Sequence, residues 1–318
     1  MKRLRIIKNI SIVIPTFNRQ NDLEKAIISI LKQDYRNFEI IVIDNGPSTD
    51  DTKAIVEKFS KSDKRINYIS TNLKGCIFAR NIGAHKAKGD IYLTVDDDIE
   101  LIKNNTLKKL HNTFKSNNKI GIVGSIELRD PNQKLSKGPQ VLPQNIGRIS
   151  KNGNFYKAYN KLEGHGITEV DHVRSAFMGT RMDLLKKANY FDEVYNASGM
   201  GFRYESDLCM KIKNLGYKVV VNPEIKIWHK ASKRSRGFKR KHDVKYFYFS
   251  NRNHIYFMKK HFWEKKSLIY FLVDIINGTR TCPGLIKGLC RMIEERDVAY
   301  LIYTIYALRG KVAGYLKK

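Results

Sequence analysis

The 318-residue chain has few of the residues that mark several common protein classes. It contains four cysteines, Cys76, Cys209, Cys282 and Cys290, and no two of them form a CxxC pair. This scatter excludes a disulfide-stapled scaffold and a zinc ribbon, and it suits a reducing compartment. No Gly-x-Gly-x-x-Gly motif follows the first predicted strand, so a Rossmann dehydrogenase is not expected.

Long apolar runs are also missing. The two longest apolar-rich stretches near the C-terminus, 267–276 and 298–308, are well short of the ~20 residues that a membrane-spanning helix needs. The basic start of the chain reaches no long apolar stretch before Pro15. The sequence therefore predicts neither a membrane-spanning helix nor a secretory signal.

Acidic residues are scarce beside basic ones. The chain has 31 Asp and Glu against 59 Lys and Arg, which gives a formal net charge of +28. Such a surplus indicates a polyanionic partner, which could be nucleic acid, anionic lipid headgroups or a phosphorylated substrate. A compositional bias toward Lys, Asn and Ile is the alternative cause. The hydrophobic content of 42% excludes a disordered or fibrous chain.

Short apolar strands alternate with helices in the first hundred residues. The predicted strands are 10–14, 39–44, 66–70 and 91–95, and the predicted helices are about 21–32, 49–59 and 75–88. Strands that are apolar throughout and separated by helices are typical of a mostly parallel sheet with helices on both faces. The predicted fold class is therefore α/β. In such sheets ligands bind at the carboxyl ends of the strands.

The rest of the chain divides into a few regions. The polar segment 130–166 predicts a long excursion that could close over a ligand. A helix is predicted from 205 to 215, and strands from 217 to 221 and from 224 to 228. The basic run 230–241 predicts a boundary, and a helical, basic and aromatic-rich region follows it.

Polar residues follow three of the predicted strands. They are the run from Pro15 through Thr16 and Asn18 to Arg19, the pair Asp44-Asn45, and the triplet Asp96-Asp97-Asp98. Asp96 and Asp98 lie on the same side of an extended chain, where their repulsion would be relieved by a hard divalent cation. Mg²⁺ and Mn²⁺ prefer such oxygen ligands and often join carboxylates to substrate phosphates. A solvated turn is the alternative.

Two residues near these strand ends each have two alternative roles. Asp44 can accept hydrogen bonds from a nucleobase or a ribose hydroxyl, or it can close a turn with Asn45 and Gly46. Arg80 lies in the helix before the acidic strand, where its guanidinium could meet a diphosphate or simply lie on the surface.

Three residues of the second half are further candidates. Glu205 and Asp207 open a predicted helix, where acidic residues favour the helix dipole or could act as a general base toward a hydroxyl group. His229 follows a predicted strand, and it is either structural or, beside an acidic cluster, a metal ligand.

Several segments, taken in their order along the chain, resemble those of a family 2 glycosyltransferase, an inverting enzyme with the GT-A fold. The segments are IVIPTFNR (12–19), VIDNGPSTDDT (42–52), ARNIGAHKAKGDIYLTVDDD (79–98), FMGTRMDLL (177–185), FDE (191–193), YESDLCMKIKNLGYKVVVNPE (204–224) and IWHK (227–230). The resemblance implies a nucleotide-diphospho-sugar donor, Mn²⁺ or Mg²⁺, and transfer with inversion. It covers about residues 10–230 and lacks the QxxRW motif of processive synthases, so a polymerase is not expected.

The resemblance also assigns roles to residues of this chain. The nucleotide-sugar-binding residues it implies are Pro15, Thr16, Asn18, Arg19, Asp44, Arg80, Asp96 and Asp97. The implied metal ligands are Asp98, Asp96 and His229, and the implied base is Glu205. At the base motif the chain departs from the family, since Glu205 stands where Asp is usual and Tyr204 replaces an acid. Asp207 is therefore a rival base.

The domain prediction is a GT-A catalytic domain at 1–232, with a nucleotide-binding half at about 10–100 and an acceptor half at about 101–232. A helical, basic region at 233–318 is expected to bind an anionic membrane surface or to form a homodimer. We expect a glycan or lipid-linked acceptor and a peripheral location on the cytoplasmic face of the cell membrane. The alternatives are a nucleic-acid-binding protein, for which no recognisable module is found, and a non-catalytic sugar-nucleotide sensor.

Overall fold

A computed structural model of the chain describes residues 7–132, 145–197, 201–230, 243–263, 267–279 and 281–317. The chain forms two compact units. The first consists of Met1–Arg148, Tyr156–Glu193 and Glu205–Ser235, and the second of Ile149–Phe155, Val194–Tyr204 and Arg236–Lys318. The predicted boundary at 232/233 and most of the basic run 230–241 lie outside the described residues, so the domain limits stay a prediction.

The first unit is built around one sheet, in which nine strands belong to the described residues. Their bounds are β1 (Ile10–Thr16), β2 (Phe38–Asn45), β3 (Ile66–Thr71), β4 (Ile91–Val95), β5 (Ile99–Leu101), β6 (Ile120–Leu128), β7 (Thr168–Val170), β8 (Phe177–Arg181) and β9 (Lys218–His229). The strand order is β3-β2-β1-β4-β8-β6-β9-β5, and β7 pairs with β9. β3, β2, β1 and β4 are parallel, whereas β8 joins β4 and β6 in antiparallel fashion.

Helices cover this sheet. Their bounds are α1 (Gln20–Leu31), α2 (Thr52–Ser62), α3 (Cys76–Lys86), α4 (Thr106–Ser116), α5 (Met182–Lys187) and α6 (Tyr204–Asn214). All residues of β1 are buried, which explains why its sequence is apolar throughout instead of alternating. α3 lies directly on β1, since a Cβ at Gly83 would be 2.3 Å from Cγ1 of Val13. The close approach brings Arg80, one turn earlier on α3, over the neighbouring strand β4.

The chain order of the parallel strands creates a crevice. The chain runs from β1 outward to β2 and β3, and then returns to the other side of β1 as β4. Ligands of open α/β sheets bind at such a reversal, outside the carboxyl ends of the strands. The acidic triplet directly follows β4, so the fold places it at this point.

The sequence prediction was wrong about two strands. The predicted segments 217–221 and 224–228 form one strand, β9, which pairs in parallel with β6. The register between β6 and β9 shifts after Val221, which is paired with Gly124, and Lys226 is the next partner, opposite Ile126. Pro223 lies within this irregularity, where its lack of an N–H removes no regular ladder bond.

The polar excursion at 130–166 is described only in part, because residues 133–144 lie outside the described residues. The described remainder contains a short 3₁₀ helix at Tyr159–Leu162 and an antiparallel bridge between Ile149 and Phe155. Closure of this segment over a ligand stays a prediction.

The second unit is helical in its C-terminal part, as predicted. α7 (Val244–Met258) continues into a π-helical turn at Lys259–Trp263, and α8 (Ser267–Ile276), α9 (Leu285–Glu294) and α10 (Ala299–Leu316) follow. α10 packs closely on α7, since a Cβ at Gly310 would be 2.1 Å from the carbonyl oxygen of Tyr248. Among the described residues, no helix combines the length and the apolar character that a membrane span requires.

Candidate active site

The acidic triplet is tied to the end of β1. The Thr16 hydroxyl donates a hydrogen bond of 2.9 Å to Oδ2 of Asp97. Asp97 is buried, and burial raises the pKa of its carboxyl to about 7, although the Arg19 charge opposes the shift. Asp97 therefore joins the ends of two strands, whereas Asp96 is partly exposed and Asp98 is buried but faces Arg19 and His229.

Arg19 lies between the carboxylates of the triplet. It precedes the first residue of α1, and its guanidinium pairs with Asp97 at 3.0 Å, with Asp98 at 3.0 Å and with Asp22 at 3.1 Å. The Arg19 side chain is 10% exposed. Arg19, which the family resemblance assigns to nucleotide-sugar binding, is therefore also a counter-ion of Asp97 and Asp98.

Arg80 is buried, and the surface alternative is thereby excluded. Its side chain is 3% exposed and pairs with Oδ1 of Asp96. Nε donates to Oγ1 of Thr94 at 3.0 Å, and a second nitrogen donates to the carbonyl of Cys76 at 3.1 Å. These bonds fix Arg80 to α3 and β4 and hold the Asp96 carboxylate in one direction.

His229, the last residue of β9, also lies beside the triplet. β5 pairs with β9 so that Ile99 lies opposite His229, one residue after the triplet. Nε2 of His229 is 3.4 Å from Oδ1 of Asp98, and Nδ1 is 3.0 Å from Oε2 of Glu127. Burial lowers the pKa of His229, but the hydrogen bonds to Asp98 and Glu127 outweigh it and raise the pKa to about 9. For Asp98, burial is likewise outweighed by His229 and Arg19, which hold its pKa below the usual range.

Glu127 and Arg174 were missed by the sequence analysis. Glu127 lies near the end of β6, where it accepts a hydrogen bond from His229 and forms an ion pair with Arg174. The result is a chain of contacts from Arg174 through Glu127 and His229 to Asp98. One signal for Glu127 was available, because it is the only charged residue in the otherwise apolar or small segment 120–128.

Three of these side chains could hold a metal ion. Asp96, Asp98 and His229 each offer one ligand atom, and the three atoms lie within 4.8 Å of one another. Two carboxylate oxygens and an imidazole nitrogen suit Mn²⁺, and Mg²⁺ prefers the oxygens. The donor set thus fits the divalent ion that the resemblance implies, and a carboxylate already orients the imidazole from behind.

The polar side-chain atoms of Asp44 and Asn18 form hydrogen bonds within the protein. Asp44 is paired with Thr16 across β1 and β2, and its carboxylate accepts hydrogen bonds from Ser48 and from the Tyr68 hydroxyl, the latter at 2.7 Å. The carboxylate therefore bonds to Ser48, whereas the N–H of Gly46 donates to the backbone carbonyl of Asp44. Binding of a nucleoside by Asp44 stays a prediction. Asn18 exchanges two hydrogen bonds with Thr49.

Pro15 occupies an inner position. It lies within β1, opposite Ile43 of β2, and is buried. Its ring can shape the strand end, whereas the polar atoms at this edge of the sheet come from the residues around it. A direct contact between Pro15 and a donor stays a prediction.

The two candidate bases on α6 have different surroundings. Asp207 is fully buried and pairs with Lys211 at 3.2 Å. Glu205 is partly exposed as a residue, but its Oε2 is buried and has no hydrogen-bond partner among the described residues. The negative charges of Glu127 and then Glu205 raise the pKa of Arg174, which places Glu205 near the chain of contacts that leads to Asp98.

Comparison with known proteins identifies the family. The model of the family described as "Glycosyl transferase family 2" matches residues 11–187, which is more than half of the 318 residues. The chain belongs to glycosyl transferase family 2. This confirms the resemblance found in the sequence.

Individual proteins are also similar to this chain in sequence. The chain is 33% identical over 192 residues to the GalNAc(5)-diNAcBac-PP-undecaprenol beta-1,3-glucosyltransferase of Campylobacter jejuni, an alignment that covers 57% of this chain and 61% of that relative. The chain thus spans less than two thirds of that relative's length. It is 26% identical over 237 residues to glycosyltransferase GlyG of Streptococcus pneumoniae, which covers 70% of this chain and 71% of GlyG.

Solved structures confirm the fold class. A mannosyltransferase from Pyrobaculum calidifontis, solved with GDP-Man and Mn²⁺, aligns with 99% of this chain and 89% of its own at a TM-score of 0.57 and 16% identity. TarS of S. aureus, residues 1–349, aligns with 96% of this chain and 83% of its own at a TM-score of 0.55 and 19% identity. At these identities the likeness shows the α/β fold of the GT-A type.

Proposed function

We propose that the protein transfers a sugar from a nucleotide-diphospho-sugar to an acceptor hydroxyl, with inversion at the anomeric carbon and with bound Mn²⁺ or Mg²⁺. The observation that carries this proposal is the convergence of Asp96, Asp98 and His229 within 4.8 Å at the strand reversal of a family 2 fold. The buried ion pairs of Arg19 and Arg80 keep the carboxylates in place there.

Asp96, Asp98 and His229 would hold the ion. When bound, the ion supplies positive charge that stabilises the departing nucleoside diphosphate. The protein's own residues prepare this site in advance. Arg80 orients Asp96, Glu127 orients His229, and the hydrogen bond between Thr16 and Asp97 fixes the backbone between the carboxylates of Asp96 and Asp98.

Glu205 acts as the general base. As the acceptor oxygen bonds to the anomeric carbon, the bond from that carbon to the diphosphate oxygen breaks on the opposite face, and the hydroxyl proton passes to the carboxylate of Glu205. Its buried Oε2 has no hydrogen-bond partner among the described residues, so it can take the proton of an acceptor hydroxyl that is placed against it. Asp207 is fully buried and paired with Lys211, which suits a role in holding the first turn of α6.

The acceptor in this proposal is a lipid-linked or cell-surface glycan precursor, and the enzyme works as a peripheral protein at the cytoplasmic face of the membrane. Support comes from the Campylobacter jejuni relative, whose name contains a polyprenyl diphosphate, and from the net charge of +28, which favours anionic surfaces. Nucleic acid is not part of the proposal.

The base assignment is tested with Glu205→Gln and Asp207→Asn, and with Glu224→Gln as a matched control, because the Glu224 side chain is 70% exposed. Nucleoside diphosphate release and donor binding are measured on a panel of nucleotide sugars with Mn²⁺. Glu205→Gln is expected to keep donor binding and to lose about 10²–10⁴ in rate. If Asp207→Asn is folded but inactive while Glu205→Gln is active, the two roles are exchanged.

A further inference from the structure

Three helices of the second unit present apolar side chains outward. These residues are 44–72% exposed and define what we call the outer apolar surface: Leu268, Ile269, Leu272, Val273 and Ile276 of α8, Leu285, Ile286, Leu289 and Ile293 of α9, and Leu301, Ile302, Ile305, Val312 and Leu316 of α10. Scattered exposed leucines are normal on a protein surface, but a series of them on adjacent helices marks an interaction site.

The exposed residues of α8 form one continuous face of that helix. Its five exposed residues follow the pattern i, i+1, i+4, i+5 and i+8, which covers one side of a helix. The charged residue of α8, Asp274, points the other way, where it is buried and paired with the fully buried Lys311 of α10. α8 is therefore apolar toward solvent and ionic toward the interior, the reverse of a helix adapted to water.

The outward faces belong to helices that are already packed on one another. Phe271 of α8 stacks on Tyr315 of α10 with ring centroids 4.3 Å apart. A Cβ at Gly288 of α9 would lie 2.1 Å from Oγ1 of Thr304 on α10, so these two helices touch closely. The inner sides of the three helices are thus used, and only the outer sides lack a protein partner within the described part of this unit.

Helix length limits the kind of partner. α8 and α9 have 10 residues each, which corresponds to about 15 Å, half of what a bilayer core requires. α10 has 18 residues, about 27 Å, but with Arg309 and Lys311 in its sequence it is not apolar enough to cross a bilayer. Short helices with an apolar face and charged flanks lie in the plane of a membrane interface. The geometry thus fits adsorption on a bilayer by helices that do not cross it.

Charge discriminates between a bilayer and a second copy of the chain. Each copy carries a formal net charge of +28, so two copies that met through this surface would repel each other, whereas anionic headgroups would attract either one. Arg309 lies within the exposed stripe of α10, whereas Lys287 and Arg291 lie on the side of α9 that faces away from its exposed apolar residues. The acids nearby, Glu294, Glu295 and Asp297, are grouped at the turn between α9 and α10.

We propose that the outer apolar surface docks into the interfacial layer of a bilayer containing anionic phospholipid. This proposal names the surface through which the protein would bind the membrane. It rests on the proposed function only for which side of the membrane is bound. Vesicle binding needs neither donor nor acceptor, so its failure and a failure of sugar transfer are distinguishable.

The experiment uses the full chain with vesicles of phosphatidylcholine, with or without phosphatidylglycerol, in a flotation assay. The test variants are Ile269→Glu and Leu272→Glu, each at an exposed position where the fold is expected to survive, and circular dichroism checks this. Leu73→Glu is the matched control, because Leu73 is 52% exposed in the first unit.

The wild type is expected to float with phosphatidylglycerol vesicles and less so at high salt. The control should behave like the wild type, and each test variant should lose binding by about tenfold or more, because a charge replaces an inserted apolar side chain. Absence of flotation, equal flotation with both vesicle types, or undiminished binding of both test variants would overturn the proposal. So would a concentration-dependent dimer that Ile269→Glu dissolves without any vesicle binding.

Discussion

Acidification should destabilise the second unit through one buried histidine. His254 of α7 is fully buried, and neither ring nitrogen has a hydrogen-bond partner among the described residues. Burial, followed by the charges of Arg203 and Lys311, holds the pKa of His254 well below 6.5. The space is tight as well, since a Cβ at Gly153 would be 2.7 Å from Nε2. The folded state therefore keeps this imidazole neutral.

The sign of the effect follows from proton binding. Below pH ~6.5 the unfolded chain binds a proton at His254 that the folded chain does not bind, so the free energy of unfolding falls as the pH falls. The contribution is fully present above the unfolded pKa and declines below it by up to ~1.4 kcal/mol per pH unit. Between pH 7.5 and pH 5, the expected loss from this one group is about 2 kcal/mol.

The assay uses the chain's two tryptophans, of which Trp263 belongs to the second unit and Trp228 to the first. In a Trp228→Phe background, the fluorescence of buried Trp263 follows urea unfolding of the second unit at a series of pH values. His254→Leu, or His254→Gln if leucine does not fold, should remove about 2 kcal/mol of the pH dependence, while the exposed His165→Leu should leave it unchanged. The reasoning fails if a folded His254 variant retains the full pH dependence.

Two further predictions concern buried charged groups. Lys311→Met should lower the free energy of unfolding by about 3–5 kcal/mol, because it leaves the Asp274 carboxylate buried without its cation. Adding Asp274→Leu should restore most of this loss. A loss below ~1 kcal/mol in the single variant would contradict the pairing. Glu127→Gln should weaken Mn²⁺ binding by about 10–100-fold, because Glu127 orients the His229 imidazole. Unchanged Mn²⁺ affinity by calorimetry would show that Glu127 has no such role.

Much of the nucleotide-binding half could be predicted from sequence because β1, β2 and β4 are buried on both faces. β1 and β4 are short apolar runs that end in polar residues, so both the strands and the edge where Thr16 and the acidic triplet meet follow from local pattern. The same logic could not separate the two alternatives for Asp44. Its turn partner Ser48 is local, but Tyr68 comes from β3.

The contacts behind the metal ligands could not be predicted, because they depend on pairing between distant strands. Glu127 meets His229 across 102 positions in the sequence, through the pairing of β6 with β9. Neither residue's neighbours in the sequence indicate the other. The single strand β9 was also missed, because Asn222-Pro223 has the composition of a turn and only the shifted register with β6 accommodates it.

The most direct test of the proposed site is calorimetric binding of a nucleotide-sugar panel with Mn²⁺ and, separately, with a chelator. The wild type is compared with Asp98→Ala and with Asp130→Ala, an exposed acid outside the cluster. The account predicts that the wild type and Asp130→Ala bind at least one donor only when Mn²⁺ is present, and that folded Asp98→Ala loses this binding. Metal-dependent binding that survives in Asp98→Ala, or no binding of any donor by the wild type, would contradict it.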